Sequence, residues 1–87
     1  MFIIMIYDVN VKRVNKVLKL ARKYLNWVQN SVLEGDITDA KFFKLKSELQ
    51  KIINKEEDSV IFYTFRSKLY TSREVIGKEK GSLDFIL

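Results

Sequence analysis

With 87 residues and a net charge of +5 from 16 Lys and Arg against 11 Asp and Glu, the chain is sized for one domain and suited to a polyanionic partner. It has no histidine and no cysteine, which excludes Ser-His-Asp and Cys-His nucleophilic sites, thiolate chemistry, disulfides and ordinary zinc centres. Catalysis would have to rest on carboxylates, hydroxyls, lysine, arginine or a hard cation such as magnesium, manganese or calcium held by oxygens.

The run Phe2-Ile3-Ile4-Met5-Ile6-Tyr7 predicts a first strand, buried on both faces at the centre of a sheet. Asp8, the first carboxylate, stands where that strand leaves the core. Asn10 is a suitable N-cap for a helix in which Val11, Val14, Val17, Leu18, Ala21 and Leu25 form one apolar stripe. Lys12, Lys16, Lys19 and Lys23 fall on another face, and from Val11 to Leu25 there are six cations and no acid. Trp27 to Glu34 has strand character, as a single strand or a hairpin, with Gly35-Asp36 as the turn that ends it. Thr38 or Asp39 caps a second helix, whose stripe is Phe42, Leu45, Leu49, Ile52 and Ile53. The cluster Glu56-Glu57-Asp58 ends that helix and is expected to return the chain to solvent. Ser59 to Phe65 is another strand, apolar on both sides of its pleat, and Arg73 to Ile76 a further short one.

This order fits a ferredoxin-like α+β sandwich, βαββαβ plus a short C-terminal strand, with both helices on one face of the sheet. At 47% apolar and 13% aromatic residues, the chain carries more apolar surface than one small core hides. A homodimer with the sheets facing each other is therefore expected. With no proline, linker or repeat, residues 1–87 read as one domain, with about 67–87 as an extension whose apolar end, Phe85-Ile86-Leu87, docks on the partner subunit. No apolar run approaches a membrane span or a signal sequence, so a cytoplasmic protein without membrane contact is expected.

Asp8 is the leading candidate ligand, because a carboxylate at the end of a central strand is held rigidly yet open to water; its alternative is a turn residue that ends the strand. One carboxylate is too few for a catalytic magnesium. A twofold axis near the strand end would bring Asp8 from both subunits together, giving a metal site suited to phosphodiester hydrolysis. Lys12 and Arg13 lie in the first helical turn, where a cation opposes the helix dipole and an incoming phosphate would relieve the penalty. With Lys16 and Lys19 they form a candidate nucleic-acid-binding face, or else a merely solvated one. Tyr7 is either a hydrogen-bond donor to a phosphate or a core-edge aromatic. Gln29-Asn30-Ser31 puts polar groups inside an apolar stretch, and Ser31 is expected near Asp8. Phe62, Tyr63 and Phe65 suit interface packing better than base stacking, since the RNA-recognition-motif pattern is missing.

The segments Ile4-Met5-Ile6-Tyr7-Asp8-Val9, Arg13-Val14-Asn15-Lys16-Val17, Trp27-Val28-Gln29-Asn30-Ser31-Val32-Leu33-Glu34-Gly35 and Asp58-Ser59-Val60-Ile61-Phe62-Tyr63 together resemble the CRISPR-associated protein two family, in order and spacing over nearly the whole chain. The resemblance implies a ferredoxin-like homodimer that acts in spacer acquisition, binds DNA or RNA and bridges the CRISPR spacer integrase. It also implies a metal-dependent endoribonuclease or DNase, with Asp8 binding Mg2+, or Mn2+, at the dimer axis. Arg13 matches a basic position near that site and Ser31 the serine of the second-strand motif. Leu33 stands where phenylalanine is common, and Trp27 where arginine is. A toxin-like metal-dependent ribonuclease outside CRISPR and a purely non-catalytic nucleic-acid-binding scaffold are the alternatives.

Overall fold

Strand β1 (Phe2–Asp8) is the middle of the molecule. The computed structural model describes residues 1–67 and 70–78, in which β1 is followed by α1 (Val11–Ala21), β2 (Asn26–Gln29), β3 (Val32–Asp36), α2 (Asp39–Ile52), β4 (Ser59–Ser67) and β5 (Tyr70–Gly77). The five strands form one sheet in the order β2-β3-β1-β4-β5, with every neighbouring pair antiparallel. This is the ferredoxin-like arrangement with β5 added at one edge.

Alternation along β1 sorts its side chains. Ile3, Met5 and Tyr7 are buried, whereas Phe2, Ile4 and Ile6 are half-buried. The buried set packs with Leu33 of β3, Val60 and Phe62 of β4, Val17, Leu20 and Ala21 of α1, and Phe42, Leu45 and Leu49 of α2. Each such side chain withdrawn from water contributes about 1.5–3 kcal/mol. Phe42 and Phe62 meet edge to face at 5.0 Å, the geometry that aromatic quadrupoles favour. β1 is thus buried fully on its helix side only; Phe2, Ile4 and Ile6 share the other face with Val32, Ile61, Tyr63 and Phe65, which pair beside them. Phe2, Ile4, Ile6, Tyr63 and Phe65 are half-buried there, whereas the most exposed large apolar side chains among the described residues are Val11, Trp27, Val28 and Phe43.

The segment 27–34 is a hairpin. Its turn is Asn30-Ser31, and Asn30 adopts φ 40°, the left-handed region that asparagine tolerates and tight hairpins require. Gly35-Asp36 is not a turn, because Gly35 pairs with Ile3 and Asp36 with Phe2 inside β3. In α1 the stripe shifts: Leu20 joins the core while Val11 is 82% exposed. The further strand is longer than Arg73 to Ile76, running over Tyr70–Gly77. The apolar end Phe85-Ile86-Leu87 lies outside the described residues.

Candidate metal and phosphate site

At the C-terminal end of β1, Tyr7 and Asp8 project to opposite sides of the sheet. Tyr7 is buried on the helix side, and its hydroxyl faces the Asn30 carbonyl at 3.5 Å. Burial pushes its phenol above the ordinary value, so it stays protonated at neutral pH. The Tyr7 backbone N–H donates to the Ser31 carbonyl at 3.1 Å, which ties the hairpin turn to the strand end. Asp8 is exposed and pairs in register with Ser59 of β4. A depression of about 490 Å³ opens there, lined by Asp8, Ser31, Gln29, Asn30 and Ser59 among others. The expected proximity of Ser31 and Asp8 is therefore found.

Helix α1 starts three residues beyond Asp8, after Val9 and Asn10. Asn10 caps it as expected, its side chain accepting from the Lys12 N–H at 2.9 Å. The Asn10 carbonyl accepts from the N–H groups of Arg13 and Val14 at 2.8 and 3.0 Å. The backbone N–H groups of Lys12, Arg13 and Val14 are thus engaged within the chain rather than open to an anion. Lys12, Lys16 and Lys19 are exposed along the helix.

Arg13 turns away from solvent to Asp58. Its Nε and one terminal nitrogen donate to the two Asp58 carboxylate oxygens at 2.6 and 3.0 Å, and that nitrogen also reaches Glu57 at 2.6 Å. Asp58 is fully buried, which corrects the expectation that Glu56-Glu57-Asp58 simply meets solvent. Its carboxylate also accepts the backbone N–H groups of Asn10 at 2.9 Å and Asn54 at 2.8 Å. The Arg13 bonds lead in holding its pKa down to about 2, with the two backbone donors adding to them and burial opposing. Arg13 in turn lies above its ordinary value, chiefly through its hydrogen bond to Asp58. The Asp58 carbonyl accepts from Lys78 at 2.7 Å, and Gly77, at φ +98°, leaves room where a Cβ would strike that carbonyl. Asp58 was not singled out from sequence; its partner Arg13 lies 45 residues away.

The acids of β1 and β3 are spread along the sheet. Asp8 stands at one end of β1, whereas Asp36 pairs with Phe2 at the other and Glu34 with Ile4 between them. Among the described residues no group of three or more acidic, histidine or cysteine side chains could hold a metal ion. Nor, among them, is any helix long and apolar enough to cross a membrane.

A ferredoxin-like sheet with an exposed carboxylate ending its central strand, next to a lysine-lined helix, defines the class: a small α+β protein of ferredoxin-like fold. The chain belongs to the CRISPR-associated protein Cas2 family, whose model matches residues 1–73. It is 60% identical over 87 residues, all of both chains, to the CRISPR-associated endoribonuclease Cas2 of Dictyoglomus turgidum. To that of Thermotoga maritima it is 55% identical over 86 residues, 99% of each. A crystal structure of a Cas2 protein superposes with a TM-score of 0.74 at 44% identity, covering 94% of this chain and 92% of the other. That of Streptococcus pyogenes Cas2 gives 0.69 at 39% identity, covering 75% and 86%.

Proposed function

We propose that two copies of this chain form a Mg2+-dependent phosphodiester endonuclease that binds nucleic acid and acts in CRISPR spacer acquisition, where it bridges the spacer integrase. The observation that carries the nuclease reading is Asp8, a carboxylate at the exposed end of the central strand, opening on a depression where Gln29, Asn30, Ser31 and Ser59 stand among the apolar side chains of Ile6, Val9, Val14, Val32 and Ile61. Family membership, and relatives named as endoribonucleases, support RNA as a substrate and a CRISPR setting over a free-standing toxin.

The donors around Asp8 are oxygens, which suit magnesium, and manganese as its substitute. A single chain brings one carboxylate; Asp8 from both subunits, meeting about a twofold axis, would supply two. The apolar face of Phe2, Ile4 and Ile6 supports such pairing, because α1 and α2 pack on the opposite side of the sheet. A divalent cation held there would activate water and neutralise charge on the scissile phosphate. The chain's own residues do the rest. The antiparallel neighbours β3 and β4 hold the end of β1 in place, Tyr7 fastens the Asn30-Ser31 turn as a protonated donor, and Ser31 offers a hydroxyl to the phosphate. Lys12, Lys16 and Lys19 attract the polyanion. Arg13 serves through Asp58, as a positioning residue for the loop between β1 and α1.

The scaffold reading is favoured by one observation, that Asp8 is the single carboxylate lining the depression among the described residues. Cleavage of RNA and of DNA by wild type and Asp8→Asn, with Mg2+ and with a chelator, decides between them. Cutting that needs the cation and disappears in Asp8→Asn is expected. Unchanged cutting by the variant sinks the Asp8 site, and tight binding without any cutting leaves the scaffold.

A further inference from the structure

Trp27 is the chain's one tryptophan, and it sits on the edge strand β2 with 49% of its surface exposed. The ring is held in place from two sides. Its Nε1–H donates to the Asn30 carbonyl at 2.9 Å, and the guanidinium of Arg22 stands over the ring, 5.6 Å from the centroid, a cation–π contact. A ring fixed in this way has little rotamer freedom left to lose on meeting a ligand.

Arg22 is also the end of a cationic track. Lys12, Lys16, Lys19 and Arg22 follow at intervals of three and four along α1 and its C-cap, and all are exposed. At 1.5 Å per residue the track covers about 15 Å, and no acid interrupts the sequence from Val11 to Leu25. A shallow groove of about 480 Å³ lies along it, between Asn15, Leu18, Lys19, Arg22 and Lys23. Val11 and Phe43 are more exposed still, but neither offers a ring pinned at the end of such a track.

Cations that follow a phosphate backbone and an aromatic face that takes a base are what single-stranded nucleic acid needs from a protein, because every unpaired base exposes a π-face. The bases inside an intact duplex are already stacked on each other. We propose that Trp27, backed by Arg22, is a stacking platform for an unpaired nucleobase at the end of the α1 track, so that the ligand is a single-stranded segment or overhang. This rests on the reading that the chain binds nucleic acid, and adds which form it binds here and through which ring.

Because Trp27 is the only tryptophan, its fluorescence reports this site alone. Titration of the full chain with oligothymidylate, oligouridylate, an abasic strand of equal length and a blunt duplex tests the platform. Quenching by the first two and none by the abasic strand or the duplex is expected. Trp27→Ala should bind oligothymidylate about tenfold more weakly, the size of one lost stack, while Trp27→Phe keeps most of the affinity. Circular dichroism checks that both variants fold, and equal affinity of both for the blunt duplex separates a lost stack from a damaged track. Binding of oligothymidylate with unchanged emission, or undiminished by Trp27→Ala, overturns the platform alone. Absence of binding to every probe overturns the nucleic-acid reading beneath it.

Discussion

Arg13 and Asp58 form a two-pronged ion pair, at 2.6 and 3.0 Å, between the first turn of α1 and the loop that enters β4. Asp58 is fully buried, and its carboxylate also takes the N–H groups of Asn10 and Asn54. A buried donor left without a partner costs about 1–3 kcal/mol. Asp58→Ala should therefore lower unfolding stability, because it leaves the Asn10 and Asn54 N–H groups unpaired and Arg13 with Glu57 alone. Arg13→Gln should cost less, since those two donors still serve the carboxylate. Urea unfolding of both variants checks the order; equal losses would mean that the backbone donors contribute nothing.

The same pair sets an acid limit on the fold. Asp58 has an ordinary value of 3.8 and is held at about 2 in the folded chain. Above about pH 5 the carboxylate is ionised in both states and its full contribution is present. As pH falls from 3.8 towards 2, the unfolded chain takes up a proton that the folded chain refuses, so stability declines through that window. Thermal melting of wild type should show this decline, and Asp58→Asn should lack the part due to this group. Parallel melting curves for the two would remove Asp58 from the account.

Period and capping made most of this fold readable. β1 shows as an apolar run, and α1 and α2 as stripes opened by Asn10 and Thr38, both of which cap as the sequence suggests. The hairpin was ambiguous because Trp27 to Leu33 is strand-like almost throughout; what breaks it is the positive φ of Asn30, a backbone property carried by one residue type among several that allow it. Asp8 was legible as a strand-end acid. The commitment of Arg13 was not, because the opposing charge that relieves it arrives from a loop 45 residues on, among acids that look solvated. Glu56 and Glu57 are exposed while their neighbour Asp58 is buried, and no local pattern separates them.

The sheet face opposite α1 and α2 gives a test of pairing. Ile4 is at its centre, paired with Glu34 on β3 and Tyr63 on β4. Ile4→Asp would place a second acid beside Glu34 and, between two apposed sheets, an uncompensated charge costing several kcal/mol. A drop in dimer affinity of at least a hundredfold is expected by sedimentation equilibrium, with the helix-side core of Ile3 and Met5 undisturbed. A variant that still dimerises like wild type would move the interface off this face.

Lys12, Lys16 and Lys19 differ from Arg13 in a way that solution binding can read. They are exposed on α1, whereas Arg13 is held by Asp58 and Glu57. A lysine that neutralises one phosphate contributes about 0.7 to 0.9 to the slope of log affinity against log salt, for single strands and duplex respectively. Each Lys→Gln substitution should therefore flatten that slope by about 0.7 on single strands and about 0.9 on duplex, and weaken binding alike for all sequences. Arg13→Gln should leave the slope within error and lower the melting temperature instead, because its charge is spent inside the protein. A slope that falls for Arg13→Gln as much as for Lys16→Gln would mean that phosphate displaces Asp58 from the guanidinium on binding, and would turn the ion pair from a fixed brace into a switch.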